Sequence, residues 1–300
     1  MLDQTTLKTL IGKAATLSEA LPYMRALRGR TIVIKYGGAA MVDEALKAGF
    51  ASDISLFKHI GINPVVVHGG GPQIDKTLNR MNIERRFVQG MRVTDEETLN
   101  IVEMVLVGKV NKEIVALVNQ HGGRAVGLSG KDGSLLLAEK MFVEKKGPAT
   151  DRPEIIDIGM VGRVTKVETA VLSALAAADF IPIIAPVGAG EKGETYNINA
   201  DFVASAVAAA LKADKLVLLT DEEGILDADK KLLSTLTGSE TKRLIAEGVI
   251  TGGMLPKVDA CFQALDAGVK KTHIIDGRVT HSVLLEIFTD RGIGTEIRLA

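Results

Sequence analysis

Two apolar runs near the start of the chain break off in the same way. Thr31-Ile32-Val33-Ile34 passes into Lys35-Tyr36-Gly37-Gly38, and Pro64-Val65-Val66-Val67 passes into His68-Gly69-Gly70-Gly71. Apolar runs without polar alternation read as strands buried on both faces, the habit of parallel sheets. Parallel neighbours need a crossover, and residues 45–60 supply one with a helical period. Glycine after a buried strand lets a ligand approach the backbone closely. In open α/β sheets ligands bind outside the carboxyl ends of the strands. Pro72 opens the next helix, whose N-terminus favours an anion. A fixed cation and bare N–H groups are thus expected to meet in one crevice.

The same alternation continues downstream. Periodicity predicts a strand over 65–68, helices over 73–81 and 96–120, and a strand over 125–128. The long helix should stop at Gly122-Gly123, and Phe87 to Thr94 reads as a hairpin turning at or near Gly90. Residues 135–167 alternate and carry more charge, so antiparallel strands are expected there, with Gly159 and Gly162 flanking a turn. A helix over 168–178, a strand over 180–185 and an alanine-rich helix over 200–211 follow. Leu216 to Asp221 begins what reads as a second α/β lobe, and no Pro-, Gly- or Ser-rich linker separates the halves. The expected fold is α/β: an αβα sandwich around a mainly parallel open sheet, in two lobes with a cleft between them. Ahead of it, Leu7, Leu10, Ile11, Ala14, Leu17 and Leu21 keep a helical period that Pro22 should kink or end. That stripe either packs on its own subunit or docks against another chain.

Composition narrows the function. With 300 residues and 46% hydrophobic content the chain can bury a large core, and a net charge of −1 argues against nucleic acid held through a basic face. Cys261 is the only cysteine, which excludes an intrachain disulfide and reads as a small core residue in a reducing compartment. No apolar stretch reaches membrane-spanning length, and Asp3, Lys8 and Lys13 are wrong for a secretory signal. A cytoplasmic protein is expected.

Five groups carry potential chemistry. Lys35 alone is an ordinary strand-end lysine, but Gly37-Gly38 beside it fits charge and amides placed against a phosphate. Gly69-Gly70-Gly71, clamped between strand and helix, offers exposed N–H groups. His68 is expected to hold that loop by a hydrogen bond rather than act as a base, and Tyr36 to pack. Asn197, Asn199 and Asp201 form either a turn with an N-cap or a polar set in which Asp201 orients a lysine. Lys257, in the first turn of a helix begun by Pro256, opposes the helix dipole and fits a compensating anion. Arg92 in its hairpin is a surface arginine or a bidentate fork for a carboxylate. Gly188-Ala189-Gly190-Glu191-Lys192-Gly193 matches a dinucleotide fingerprint, but no helix pattern follows it. It reads instead as a mobile loop over the cleft. The histidines show no metal-ligand spacing.

On these residues the chain resembles the amino-acid kinase family over most of its length from Thr31 to Ile297. The carriers are Ile34-Lys35-Tyr36-Gly37-Gly38, Val67-His68-Gly69-Gly70-Gly71-Pro72, Gly90-Met91-Arg92-Val93-Thr94, Asn197-Ile198-Asn199-Ala200-Asp201 and Gly253-Met254-Leu255-Pro256-Lys257. The hairpin and the Asn-x-Asn-Ala-Asp motif resemble its acetylglutamate branch. That resemblance implies ATP-dependent phosphorylation of the side-chain carboxylate of N-acetyl-L-glutamate in arginine synthesis. It implies Lys35 and Lys257 at the transferring phosphoryl group, with Asp201 orienting both. Gly70, Gly71, Arg92 and Asn197 would bind substrate, Gly38 a phosphate, and Thr220 and Asp221 the nucleotide. Mg²⁺ would be carried mainly by ATP, with no protein metal site. The division implied is 1–28 for oligomerisation, 29–212 for substrate and 213–300 for nucleotide. The arginine-sensitive members of the branch imply a dimer core joined into a hexamer through the N-terminal helix. In them an effector site would draw on Tyr23, His273, Glu286 and the Gly292-Ile293-Gly294-Thr295 turn. A kinase for carrier-bound aminoadipate, a nucleotide or amino-acid sensor that has lost catalysis, and a dehydrogenase are the competing readings.

Overall fold

The computed structural model describes residues 3–145 and 154–299. In chain order the first half holds α1 (Gln4–Leu27), β1 (Thr31–Tyr36), α2 (Glu44–His59), β2 (Asn63–His68), α3 (Gly71–Arg80), β3 (Phe87–Val88), β4 (Met91–Arg92), α4 (Glu96–Glu103), α5 (Asn111–Gln120), β5 (Ala125–Ser129) and β6 (Leu136–Lys145). The second half holds β7 (Glu154–Val167), α6 (Ala170–Ala177), β8 (Ile181–Ala185), β9 (Val187–Ala189), β10 (Thr195–Ile198), α7 (Ala200–Ala210), β11 (Lys215–Thr220), β12 (Thr235–Thr237), α8 (Gly238–Ala246), α9 (Met254–Asp266), β13 (Lys271–Asp276), α10 (Ser282–Phe288) and β14 (Thr295–Arg298).

Eight strands form one sheet in the order β12-β14-β13-β11-β1-β2-β8-β5. Every neighbouring pair is parallel except β13 with β14. Strand alternation divides the apolar residues between two cores. Ile32, Ile34, Val66 and Val217 face α2, α3, α5 and α10, whereas Val33, Val65, Leu216 and Leu218 face α6, α7 and α9. The αβα sandwich around a mainly parallel sheet is therefore as the sequence led us to expect. Among the described residues, no helix is long and apolar enough to cross a membrane.

Three local readings need correction. The helix expected over 96–120 is continuous in course but takes π-helical hydrogen bonding from Met104 to Val110. Gly159 and Gly162 do not flank a turn; they lie inside β7, and the β6–β7 connection lies outside the described residues. Their need for glycine is close approach: a Cβ on Gly159 would fall 2.2 Å from Thr94 O, and one on Gly162 would fall 2.7 Å from Tyr196 Cβ. The fingerprint-like loop joins β9 to β10 in an antiparallel pair, with Gly193 N donating to Gly190 O at 3.1 Å. These two strands close a small barrel with β6 and β7, and residues 190–193 do not border the clefts described below.

α1 does not end at Pro22 but runs through it to Leu27, begun by Asp3, whose carboxylate accepts from Thr6 N at 2.9 Å. Only its last turns meet the body, where Ala20, Tyr23, Met24 and Leu27 pack against the α2 side of the core. Leu7, Leu10, Ile11, Leu17 and Leu21 stay exposed. Packing of the whole stripe on its own subunit is thus excluded.

Candidate active site

Strand alternation turns Ile34 and Tyr36 to the α2 side, so Lys35 between them points to the α7 and α9 side. There α7 presents Asp201 in its first turn, and α9 presents Lys257. Lys35 Nζ lies 3.2 Å from Asp201 Oδ1, and Lys257 Nζ lies 2.9 Å from Oδ2. Asn199 caps α7 by accepting from Asp201 N at 2.8 Å, so its side chain takes the N-cap alternative. Helix α9 begins at Met254, two residues before Pro256, yet Lys257 still stands in the first turn, opposed to the dipole. Burial pushes the Lys35 ammonium below its usual value, Lys257 adds to the fall, and Asp201 resists it. Burial would raise the Asp201 carboxyl, but the two ammonium groups outweigh it and hold it below the usual carboxylate range. The trio carries one more positive than negative charge.

The glycine loops close on this trio. Gly38 adopts φ 71°, and a Cβ there would fall 2.3 Å from Asp221 Oδ1, which accepts from Ala39 N at 2.5 Å. Asp221 therefore clamps the Gly38 loop. Gly69 N donates to Tyr36 O at 2.7 Å, tying the second glycine loop to the end of β1. Gly70 caps α3, Gly71 is its first residue, and Pro72 stands in its first turn. His68 is fully buried, and its Nδ1–H donates to Gly69 O at 2.7 Å; burial pushes its pKa to about 4. It holds the loop as a neutral ring. Tyr36 stacks on Phe50 with centroids 3.8 Å apart, and its hydroxyl donates to Ala40 O, while Cys261 is wholly buried with its thiol pushed up to about 12.

Two clefts border the trio. The first, about 720 Å³, is lined by Gly70, Gly71, Arg92 and Asn197, and the second, about 790 Å³, by Thr220, Asp221 and Lys257. Lys35 and Gly38 border both. The hairpin turns through Gln89 and Gly90 at φ 48° and 78°, the left-handed pair that tight hairpins need. Arg92 on β4 is 9% exposed, stacks over Phe87 and donates through Nη2 to Asp75 Oδ1 at 2.5 Å. Among the described residues its buried Nη1 has no hydrogen-bond partner, which leaves one prong of the fork free beside the first cleft. Asn197 Nδ2 donates to Thr94 Oγ1 at 3.2 Å. Sequence reasoning missed Asp75, because nothing in the local pattern of α3 links it to a hairpin residue.

A third cleft of about 710 Å³ lies at the end of α1, lined by Tyr23, Lys215, His273, Glu286 and Gly292. The Tyr23 hydroxyl donates to Asp290. His273 Nδ1 lies 2.6 Å from Glu286 Oε1, and Lys215 Nζ lies 3.2 Å from the other ring nitrogen. Ile293 N and Gly294 N donate to Glu286 Oε2 at 2.7 and 3.1 Å. Gly294 therefore builds the cleft from behind and does not line it. Burial would raise the Glu286 carboxyl; His273 and the two amides outweigh it and hold it low.

Residues 30–276 match the sequence model of the amino acid kinase family. A protein of Syntrophus aciditrophicus named acetylglutamate kinase is 60% identical over 287 residues, covering 96% of this chain and 97% of that one. One of Geotalea uraniireducens with the same name is 62% identical over 289 residues, covering 96% and 98%. Among solved structures, N-acetylglutamate synthase from Neisseria gonorrhoeae, complexed with coenzyme A and N-acetyl-glutamate, superposes with a TM-score of 0.83 at 29% identity. The match covers 96% of this chain but only 63% of the synthase. Carbamate kinase from Giardia lamblia bound to AMP-PNP, at 18% identity and a TM-score of 0.65 over 91% of this chain and 99% of that one, shares the fold. The chain belongs to the amino acid kinase family, within the group whose members carry the name acetylglutamate kinase.

Proposed function

We propose that the protein transfers the γ-phosphoryl group of ATP to the side-chain carboxylate of N-acetyl-L-glutamate, as a cytoplasmic enzyme of arginine synthesis. The observation that carries this reading is the Lys35–Asp201–Lys257 trio, which borders both clefts and has one positive charge in excess. A glutamyl-type carboxylate, with a pKa of about 4.3, is already ionised at neutral pH and needs no general base. Its difficulty is approaching a polyanion. One carboxylate oxygen attacks the γ-phosphorus in line, the bond to the β–γ bridging oxygen breaks, and ADP leaves from an acyl phosphate. Lys35 and Lys257 offset the charge on the transferring group, and Asp201 aims both ammonium groups. This division of labour explains why a neutral His68 is no handicap.

In the first cleft, the free prong of Arg92 takes the substrate α-carboxylate and Asn197 its α-substituents, while Gly70 and Gly71 offer amides. In the second, Thr220 and Asp221 stand beside the nucleotide and Gly38 beside its phosphates. Both Asp201 oxygens are taken by lysines, and among the described residues no three His, Cys, Asp or Glu side chains converge as a metal cage. Mg²⁺ would arrive on the ATP phosphates and share their charge. In this reading residues 29–212 serve the acid and 213–300 the nucleotide.

The same reading extends to regulation. The third cleft sets the acidic Glu286 and Asp290 beside the last turns of α1, a setting for the guanidinium and amino groups of arginine. The bare leucines of residues 1–28 supply the surface that joins dimers into a hexamer. An ATP-dependent hydroxamate assay, trapping the acyl phosphate with hydroxylamine, tests the proposal. N-acetylglutamate is run beside glutamate, aspartate and N-acetyl-aminoadipate, each with and without arginine. The expected result is signal with N-acetylglutamate alone, suppressed by arginine. Folded protein that binds ATP but gives no signal with any acid would be a sensor, not a kinase.

A further inference from the structure

The π-helical turn Met104–Val110 packs directly under the second glycine loop. A Cβ on Gly70 would fall 2.5 Å from Leu106 Cδ2 and 3.6 Å from Val110 Cγ2. Such turns are rare and gather at functional sites. This one delivers Asn111, which is fully buried. Asn111 Nδ2 lies 2.9 Å from Ile183 O, 3.4 Å from Leu128 O and 3.2 Å from His68 Nε2. Its Oδ1 accepts from Lys112 Nζ at 3.1 Å. Turned the other way, Oδ1 would face two strand carbonyl oxygens, so the carbonyls fix the amide with its nitrogen, which can donate but not accept, toward His68. His68 Nε2 must then be the acceptor, and the ring proton must sit on Nδ1. From there it is donated to Gly69 O at 2.7 Å, while Gly69 N donates to Tyr36 O at 2.7 Å. Both sides of Gly69 are pinned, and the next two amides belong to Gly70 and Gly71 at the first cleft.

We propose that Asn111 is a positioning residue for phosphoryl transfer, fixing the Gly69–Gly71 loop through the tautomer of His68. The inference rests on the kinase reading above. With the proton on Nε2, the Nδ1 lone pair would face Gly69 O and repel it. A glycine peptide has little stiffness of its own to resist rotation, so the amides beyond would leave their aim. The chain also keeps space for Asn111: a Cβ on Gly127 would fall 1.9 Å from its Oδ1. Burial, which keeps the His68 ring neutral, removes the doubly protonated form that would make the relay pointless.

Long-range ¹H–¹⁵N NMR of the imidazole nitrogens reads the tautomer directly in the full-length protein. The expected result is Nδ1–H with a bare Nε2 in the wild type, and a mixed or reversed tautomer in Asn111→Ala. In hydroxamate kinetics that variant should lose about tenfold to a hundredfold in kcat, the scale of a small misplacement. The KM for ATP should stay within about twofold, since Gly70 and Gly71 do not border the second cleft. An Nε2–H tautomer in the wild type overturns the proposal, as does Asn111→Ala with an unchanged tautomer and unchanged kcat per folded molecule. If that variant does not fold, the wild-type spectrum alone decides. A wild type with no hydroxamate signal sinks the kinase reading, which the tautomer measurement does not touch.

Discussion

Two buried carboxylates organise this molecule, and they are satisfied in opposite ways. Asp201 holds one ammonium on each oxygen, from Lys35 and Lys257, in a trio with surplus positive charge. Glu286 meets His273 on one oxygen and the amides of Ile293 and Gly294 on the other, with Lys215 beyond the ring. The second group is electrically balanced, because burial keeps His273 below its usual pKa. Surplus charge costs free energy in the free protein and is relieved when an anion arrives, so it suits transient binding of phosphate during turnover. A balanced group suits a ligand that brings both signs. On the function proposed above, the difference separates a centre for chemistry from a centre for sensing, within one continuous sheet.

The sharpest way to break this comparison is to remove a cation from each group. Lys35→Met and Lys257→Met should each lower the hydroxamate rate by on the order of 10²–10³, by analogy with lost oxyanion donors. Lys215→Met should leave a far smaller mark on the same rate. Asp201→Asn leaves the buried Lys35 ammonium and the half-buried Lys257 ammonium without their counter-ion, which should cost about 3–5 kcal/mol in urea denaturation. Near wild-type rates in Lys35→Met would mean that the surplus charge serves stability, and the distinction would collapse.

Glu286→Gln sharpens the other side. The amide keeps one oxygen for Ile293 and Gly294 but loses the charge that faces the third cleft. The half-maximal concentration of arginine in the hydroxamate assay should rise by about tenfold, the equivalent of ~1.4 kcal/mol. Unchanged suppression would remove Glu286 from the effector site and leave the third cleft without a role.

What could be foreseen and what could not divides along the same physical line. Lys35, the glycine triplet, Asp201 and Lys257 were legible because each is announced by its own neighbours: a buried run, a glycine, a helix start. The sheet was legible for that reason too, since period and punctuation are local signals. Asp75 behind Arg92, Asn111 behind His68 and the closure of β9 and β10 on the β6–β7 pair were not. Each joins segments far apart in sequence whose local patterns carry no mark of the partner. The π turn escaped because its apolar spacing still satisfies a helical period. Gly159 and Gly162 were noticed but misread, because glycine announces a turn and a close approach with the same letter.

The last contrast compares the two buried histidines. Burial lowers both, but Glu286 pulls His273 back up, whereas His68 has Asn111 as its partner and falls to about 4. In the unfolded chain His68 titrates near 6.5. Between those values the unfolded state binds more protons, so stability is fully present above pH 6.5 and is lost as pH falls toward about 4. The gap corresponds to about 3 kcal/mol. Asp53 opposes it, since burial raises that carboxyl to about 6 and its contribution fades as pH rises through the same window. The total slope is therefore shallow, and only a difference isolates the histidine. Urea denaturation at several pH values, for wild type and His68→Gln, should give a stability gap that widens by about 3 kcal/mol from pH 4 to 6.5. Glu286→Gln should instead lower the NMR titration midpoint of His273 and leave that of His68 in place. A gap that stays constant with pH would show that His68 is not held neutral, and the contrast between an amide-held and a carboxylate-held histidine would fail with it.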